Sequence, residues 1–341
     1  MQYDVTIGIP IFKSVDFIRR SIESALAQTY SSIEFLIVDD AGRDGSVEMI
    51  QSIKKTHPRG NDIHIIKHND NQGVSSSRNQ IIAEAQGEYL YFMDSDDTIV
   101  ENAIELLMQN ARLYNAEIVF GSYERIETTG RKTLYQYPSI QLLKEDGLAS
   151  FAYRKYGGIQ ASVCNYLVKT SVLRDNNLRF IDTNYWEDFV FTFDLVTLIS
   201  RAVLLPDITY TYICRENSLS HYQQRNMIPK GEILQNIRAV DHLKLTSSAL
   251  SDKVYYPNRC YNIVLTDFYI ACKILKRRNS ISPYISNYEI KEVMKHPASF
   301  SNICSFQKVR LENLFLYFLG QLPAFLSVLL IRCLGKAKKL A

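Results

Sequence analysis

Apolar positions in the first part of the chain form short runs that alternate with helically spaced sets. Val5-Thr6-Ile7-Gly8-Ile9 is a run stopped by Pro10, and Ile18, Ile22, Ala25 and Leu26 then fall at helical spacing. Phe35-Leu36-Ile37-Val38 is a second run ending in Asp39-Asp40, followed by a helical set at Val47, Ile50 and Ile53. Residues 63–66 make a third run, Ile81, Ile82 and Ala85 mark a third helix, and residues 90–93 make a fourth run that ends at Asp94. Continuous apolar strands separated by helices predict a parallel sheet covered on both faces. The expected class is therefore α/β, a doubly wound, mostly parallel sheet flanked by helices.

Farther along, the pattern loosens. Residues 128–158 read as a loop-rich insertion. Residues 190–199 read as a helix, and 202–205 and 209–213 as two short strands around Pro206-Asp207. From about residue 226 the pattern turns helical, with aromatic and basic residues.

In doubly wound sheets a ligand sits outside the carboxyl ends of the strands. Pro10, Asp39-Asp40 and Asp94-Ser95-Asp96-Asp97 all follow strand ends, so they should converge on one edge. Three carboxylates within Asp94-Ser95-Asp96-Asp97 repel one another unless a divalent cation neutralises them. The alternative is that Asp96 or Asp97 caps the helix over residues 101–113. The pair Asp39-Asp40, before a glycine-containing turn, can accept hydrogen bonds from a base or ribose. It can equally be a plain strand-to-helix turn in which Asp44 or Ser46 caps. Arg78 stands in the first turn of a helix, where the dipole disfavours a cation. It therefore needs an anionic or stacking partner, either Glu84 or a nucleotide.

Composition narrows the class. A net charge of only +3 excludes a chain-wide polyanion binder, and no nucleic-acid partner is expected. The six cysteines form no C-x-x-C pair and none precedes Cys164, which argues against a zinc ribbon or a disulfide framework and for reduced thiols. The start, Met1-Gln2-Tyr3-Asp4, has no basic n-region, so no signal peptide is expected and the catalytic part is placed in the cytoplasm.

Taken in order, Pro10, Val38-Asp39-Asp40, Asp44-Gly45-Ser46, Asn71-x-Gly73-x-Ser75-x-x-Arg78-Asn79, Gly87-Glu88-Tyr89 and Phe92-Met93-Asp94-Ser95-Asp96-Asp97 resemble glycosyltransferase family 2. The resemblance covers residues 3–220 and implies a GT-A fold and an inverting transfer from a nucleotide sugar, a UDP-sugar foremost. By that resemblance Asp39 contacts the pyrimidine base, and Pro10, Ile11 and Phe12 line its pocket together with Asp40. Arg78 belongs to the donor pocket, Asp94 and Ser95 stand near the ribose, and Asp96 holds Mg²⁺ or Mn²⁺. Asp97 is a supporting residue or a helix cap.

Tyr185-Trp186-Glu187-Asp188 before an apolar helix is similar to the family's E-D motif, which makes Asp188 the general base with Glu187 beside it. An acceptor hydroxyl needs such a carboxylate to take its proton. The alternative is that both are helix-start acids favoured by the dipole. Cys164-Asn165-Tyr166-Leu167-Val168-Lys169 resembles another family segment with its Trp, Lys and Tyr replaced. Arg215-Glu216-Asn217-Ser218-Leu219-Ser220-His221 is similar to an element near the diphosphate. It assigns Arg215 and Ser218 to the diphosphate and His221 to the metal, against a surface histidine. The chain departs from the family at Phe12-Lys13 and at Ala41-Gly42.

These assignments predict a catalytic domain over residues 1–222, with a nucleotide-binding half at 1–125 and an acceptor half at 126–222. A helical region follows at 223–341. Within it, residues 314–334 are apolar but interrupted by Gln321, Pro323 and Arg332, and a basic end follows. A segment lying on the inner membrane surface is expected, against a packed helix or a span. The expected acceptor is a glycan or lipid-linked saccharide of cell-surface polysaccharide synthesis. The competing classes are a non-catalytic nucleotide-sugar-binding scaffold and a nucleotidyltransferase. The latter lacks its glycine-rich loop here, since Pro10-Ile11-Phe12-Lys13-Ser14 stands in that place.

Overall fold

The structure is a computed structural model that describes residues 2–155, 158–183, 185–215 and 227–338. The chain divides into two compact units: Met1–Leu148 with Ser162–Ser218, and Ala149–Ala161 with Leu219–Ala341.

The first unit opens with β1 (Tyr3–Ile11), α1 (Ile18–Leu26), β2 (Ile33–Asp39), α2 (Ser46–Thr56), β3 (Ile63–Lys67), α3 (Val74–Glu84) and β4 (Gly87–Phe92). These strands lie in the order β3-β2-β1-β4, and all three pairings are parallel. β2 is buried at every position and β1 at most of them, as a strand covered on both faces must be. Thr6 ties the centre together: its hydroxyl donates to Glu34 Oε2 and accepts from the Gly87 backbone N–H at 2.8 Å. At Gly8 in β1 a Cβ would lie 2.4 Å from Ile81 Cγ2, so only glycine lets α3 approach this closely.

Beyond β4 the sheet becomes mixed. The elements are β5 (Thr98–Ile99), α4 (Ala103–Tyr114), β6 (Ile118–Ile126), β7 (Lys132–Tyr135), β8 (Ile140–Leu142), α5 (Gly147–Arg154), which belongs to the second unit from Ala149 onward, β9 (Tyr166–Lys169), α6 (Thr170–Asp175), α7 (Glu187–Leu195) and β10 (Ala202–Ile213). The order continues β4-β9-β6-β10-β5, with β9 antiparallel to both neighbours and β6 parallel to β10. The stretch expected to be loop-rich contains β7 and β8, which pair at the side of β6 and β10. Neither has a buried face, so hydrophobic period could not reveal them. β7 is held by its ladder and by Tyr135 stacked on Tyr123, ring centroids 4.6 Å apart. The two strands expected around Pro206-Asp207 are one, β10, whose register shifts between Leu204 and Ile208 absorb the proline.

The second unit continues with β11 (Ile228–Pro229), α8 (Lys230–Ser247), α9 (Tyr256–Arg277), β12 (Ile281–Ser282), α10 (Asn287–Val293), α11 (Phe300–Cys304), α12 (Arg310–Gln321) and α13 (Ala324–Ala337). α9 is the central helix and buries Cys260, Ile263, Val264, Ala271 and Cys272. Two charged side chains are satisfied inside this unit. Arg259 is fully buried and donates to Ser247 Oγ, Thr246 Oγ1 and the Tyr153 hydroxyl, the last at 2.6 Å. Lys244 reaches buried Asp267 at 2.8 Å and the Val293 carbonyl at 2.8 Å. The apolar run of the C-terminus breaks at Leu322-Pro323 into α12 and α13, and no described helix is long and apolar enough to cross a membrane.

Candidate active site

The strand ends expected to converge do so in the first unit, and each is fixed by a local reason. Asp39 ends β2 opposite Ile11 of β1. Its Oδ1 accepts from the Gly42 backbone N–H at 3.1 Å, and no described protein donor reaches Oδ2. Asp40 is used differently. Its Oδ1 accepts from the Gln72 N–H and its Oδ2 from the Gly73 N–H, both at 2.8 Å, while His68 Nδ1 lies 2.8 Å from Oδ1. Asp40 thus clamps the loop before α3 rather than facing a ligand. Gly73 takes φ +87° in that loop. Phe12 follows β1 with its ring 45% exposed, available to a flat ligand, whereas Pro10 is only partly buried and Ile11 is in the core. Asp44 brackets the next turn, accepting from Val15 N and Ser46 N at 2.8 and 3.1 Å.

Arg78 on α3 is the centre of the site. Its side chain is 4% exposed, and it does not pair with Glu84, which accepts instead from Gln80. Nη1 donates to Glu187 Oε1 at 2.9 Å and to Asp188 Oδ1 at 2.5 Å, and Nη2 donates to Asp94 Oδ1 at 3.1 Å. The guanidinium also stacks over Phe180, 5.4 Å from its centroid. Burial works against its charge, but Asp188, Asp94 and Glu187 outweigh that and hold it firmly protonated. The neighbours of Arg78 in the motif anchor the segment that carries these acids. Asn79 exchanges two hydrogen bonds with the Phe180 backbone, at 2.8 and 2.9 Å, and Ser75 Oγ donates to the Thr183 carbonyl at 3.0 Å.

The four-residue acidic segment divides its labour. Asp94 keeps 31% of its side chain exposed beside Arg78. Ser95 Oγ lies 2.9 Å from Ser14 Oγ. Asp96 is held by Arg215, whose Nε is 2.5 Å from Oδ2 and whose guanidinium rests on Phe17 at 4.3 Å. Burial and the Asp94 charge raise the Asp96 pKa, and Arg215 opposes them. Asp97 is buried and fully engaged, accepting from the Tyr210 hydroxyl at 2.6 Å and the Ile213 N–H at 2.8 Å. Burial, then the charges of Asp94 and Asp96, push its pKa up to about 8. Neither Asp96 nor Asp97 caps α4, whose N-cap is Asn102.

Glu187 and Asp188 start α7, so the helix-dipole role and the arginine pairing coexist. Trp186 before them adopts the left-handed conformation (φ 68°, ψ 10°), which is uncommon for a bulky residue and sharply turns the chain into the helix. Asp188 retains 25% of its side-chain surface, enough to meet a substrate. Burial raises its pKa, reinforced by Glu187 and Asp94 and opposed by Arg78. That moves a carboxylate toward the range useful for taking a proton. Of the remaining expected site residues, Ser218 and His221 lie outside the described residues.

Two site features escaped the sequence. The Tyr210 hydroxyl donates to Asp97 Oδ2 and accepts from the Asp94 backbone N–H at 3.2 Å, so it positions both acids. Phe180 forms the floor under Arg78 and stacks on Phe191 at 4.0 Å. For a metal, the available donors are Asp94 and Asp96. Among the described residues no group of three or more His, Cys, Asp or Glu could hold an ion alone. Two carboxylates nevertheless suit Mg²⁺, which completes its shell with phosphate oxygens and water.

Comparison with known proteins agrees with this layout. Residues 6–168 match the model of Glycosyl transferase family 2. A cholesterol galactosyltransferase of Borreliella burgdorferi is 26% identical over 230 residues, covering 64% of this chain and 62% of that protein. The succinoglycan biosynthesis protein ExoO of Rhizobium meliloti is 27% identical over 223 residues, covering 64% of this chain and 62% of that protein. In both, the match spans less than two thirds of the relative's length. A crystal structure of Staphylococcus aureus TarS 1–349 in complex with UDP-GlcNAc superposes with a TM-score of 0.57 at 14% identity, over 93% of this chain and 90% of that one, and so shares its fold. Fold, motif order and family match converge: residues 6–168 form a glycosyltransferase family 2 domain.

Proposed function

We propose that the chain is an inverting transferase that moves a hexose or N-acetylhexosamine from a UDP-sugar to a hydroxyl of a glycan or lipid-linked acceptor. The setting is cell-surface polysaccharide synthesis on the cytoplasmic side of the membrane. The observation that carries this reading is the single guanidinium of Arg78 joining Asp94, at the end of β4, to Glu187 and Asp188, at the start of α7. It brings a donor-side acid and a partly open acid of raised pKa into one constellation. Support for the donor comes from the TarS complex with UDP-GlcNAc, for a polysaccharide setting from the succinoglycan relative, and for a lipid acceptor from the cholesterol galactosyltransferase.

In this reading Phe12 and Asp39 receive the base, and Arg215 faces the diphosphate. Asp188 accepts the acceptor's proton as its oxygen attacks the anomeric carbon. The bond from that carbon to the diphosphate oxygen breaks on the opposite face, which inverts the configuration. Arg78 holds Asp188 in place and stabilises the carboxylate form. Mg²⁺ or Mn²⁺, held by Asp96 with Asp94, would neutralise charge on the leaving diphosphate. The test is a panel of nucleotide sugars scored by nucleotide release with each divalent metal. Release from UDP-sugars that depends on metal and acceptor is expected. Release of pyrophosphate from a nucleoside triphosphate, or no turnover of any donor, would overturn the reading.

A further inference from the structure

Among the described residues, seven of the seventeen exposed large apolar side chains lie between Phe300 and Leu330. They are Phe300, Leu311, Phe315, Phe318, Phe325, Leu329 and Leu330, each at least 42% exposed. Chance does not scatter them so: this stretch is a small part of the chain. On α12, Leu311, Phe315 and Phe318 recur at one-face spacing, and on α13 Phe325 and Leu329 do the same. The opposite faces are already committed. α12 buries Asn313, Leu316, Leu319 and Gly320, and α13 buries Ser327, Val328, Ile331 and Gly335. Gly320 comes so near α10 that a Cβ would lie 2.7 Å from the Met294 carbonyl oxygen. Both helices are thus fixed by their inner faces, and the outer apolar residues are not spare core. The Phe300 and Phe318 rings touch at 5.7 Å, which makes the apolar surface continuous from α11 to α12.

The charges around this surface have one sign. Exposed Lys308 precedes α12 and exposed Arg310 opens it, exposed Arg332 and Lys336 occupy the end of α13 with Lys338 just beyond, and residues 300–338 hold a single acid, Glu312. The α13 end packs beside α9, where Cys272 Sγ lies 3.9 Å from the Ile331 carbonyl oxygen, and exposed Lys273 and Lys276 follow. Helices of this length, split at Leu322-Pro323, do not span a bilayer. An apolar stripe with a cationic border suits the interface of an anionic membrane, where the rings enter the acyl boundary and the cations meet phosphate. A second copy suits it less well, because a two-fold contact sets the same basic border against itself.

We propose that the outer face of α11–α13 is a docking surface for an anionic phospholipid bilayer, with these helices lying in the plane of the membrane. The inference concerns the helical unit and does not depend on the catalytic assignment. Flotation of the full chain with vesicles of phosphatidylcholine, or of phosphatidylcholine with phosphatidylglycerol, tests it. Binding at least tenfold greater on the anionic vesicles is expected. Phe325→Asp with Leu329→Asp, and separately Arg332→Gln with Lys336→Gln and Lys338→Gln, should each reduce that binding about tenfold, while donor turnover in solution persists. If the aspartate pair fails to fold, Phe315→Ser with Phe318→Ser probes the same face. Equal recovery on both vesicle types, or binding untouched by the apolar-face variants, would overturn the proposal. So would a wild-type dimer in light scattering that the same variants convert to monomer, since the face would then belong to a second copy.

Discussion

Asp188 Oδ1 accepts from Arg78 Nη1 at 2.5 Å, and the same guanidinium reaches Asp94 through Nη2 at 3.1 Å. A planar fork can serve both acids at once, which a lysine ammonium cannot. Arg78→Lys should therefore keep the charge and lose the span. Its kcat should drop by roughly 10²-fold, the scale of one preorganised donor, with the pH profile displaced. Arg78→Ala leaves three acids unpaired and should cost about 3 kcal/mol or more of stability. Steady-state kinetics of the lysine variant across pH, with thermal melts of the alanine variant, check both. A lysine variant with unchanged kcat and profile would count against the positioning role.

Asp188→Asn can still accept a hydrogen bond from Arg78 but cannot hold the acceptor's proton. Transfer should fall by about 10²- to 10⁴-fold, while affinity for UDP changes only by the coupling carried through Arg78, about threefold or less. Single-turnover transfer and UDP titration measure the two. Wild-type transfer by this variant would remove Asp188 from the mechanism.

Adjacent acids at the end of β2 should behave in opposite ways. Asp39→Asn retains the bond to Gly42, so its Tm should hold while the donor KM rises by about tenfold, the worth of one lost polar contact. Asp40→Asn replaces one of the two oxygens that accept from Gln72 and Gly73 with a donor, and should cost about 1–3 kcal/mol. Parallel melts and donor kinetics separate them. A donor-specific defect at Asp40 with intact stability would reverse the assignment.

Asp96→Ala frees Arg215 and removes one of the two carboxylates proposed to hold the metal. UDP binding in the presence of Mn²⁺ should weaken markedly, and binding with EDTA should change little. Isothermal titration under both conditions is the measurement. Equal UDP affinity for variant and wild type with Mn²⁺ would place the cation elsewhere.

In the helical unit, burial pushes the Asp267 carboxyl up to about 7, against the pull of Lys244. The folded chain thus keeps a proton that the unfolded chain releases near its ordinary value of 3.8. The stability that this group contributes is complete below that value and is lost as pH rises through about 7. Asp267→Asn should flatten the decline of Tm between pH 4 and about 7. Calorimetric scans across that interval test the sign, and a steeper decline in the variant would contradict it.

The parallel half of the fold was legible because β1, β2 and β4 are largely buried and the helices between the strands keep their period. β5, β7 and β8 were not, since they are two to four residues long and held by neighbouring strands rather than by a pattern of their own. At the site, position was more legible than partnership. Strand ends brought Asp39 and Asp94 together, but the acids that neutralise Arg78 lie 109 and 110 residues later in the chain. No local signal spans that distance. The different uses of Asp39 and Asp40 follow from the strand itself, where consecutive side chains leave on opposite sides.

The guanidinium shared by Asp94 and Asp188 also makes the proton on Asp188 and the donor linked ligands. A donor or cation that draws Asp94 away leaves the positive charge of Arg78 to Asp188 and Glu187, and that favours release of the Asp188 proton. By reciprocity the deprotonated enzyme holds the donor more tightly, so donor affinity should rise with pH in proportion to that coupling. The arrival of the sugar would then help to ready the base that transfers it.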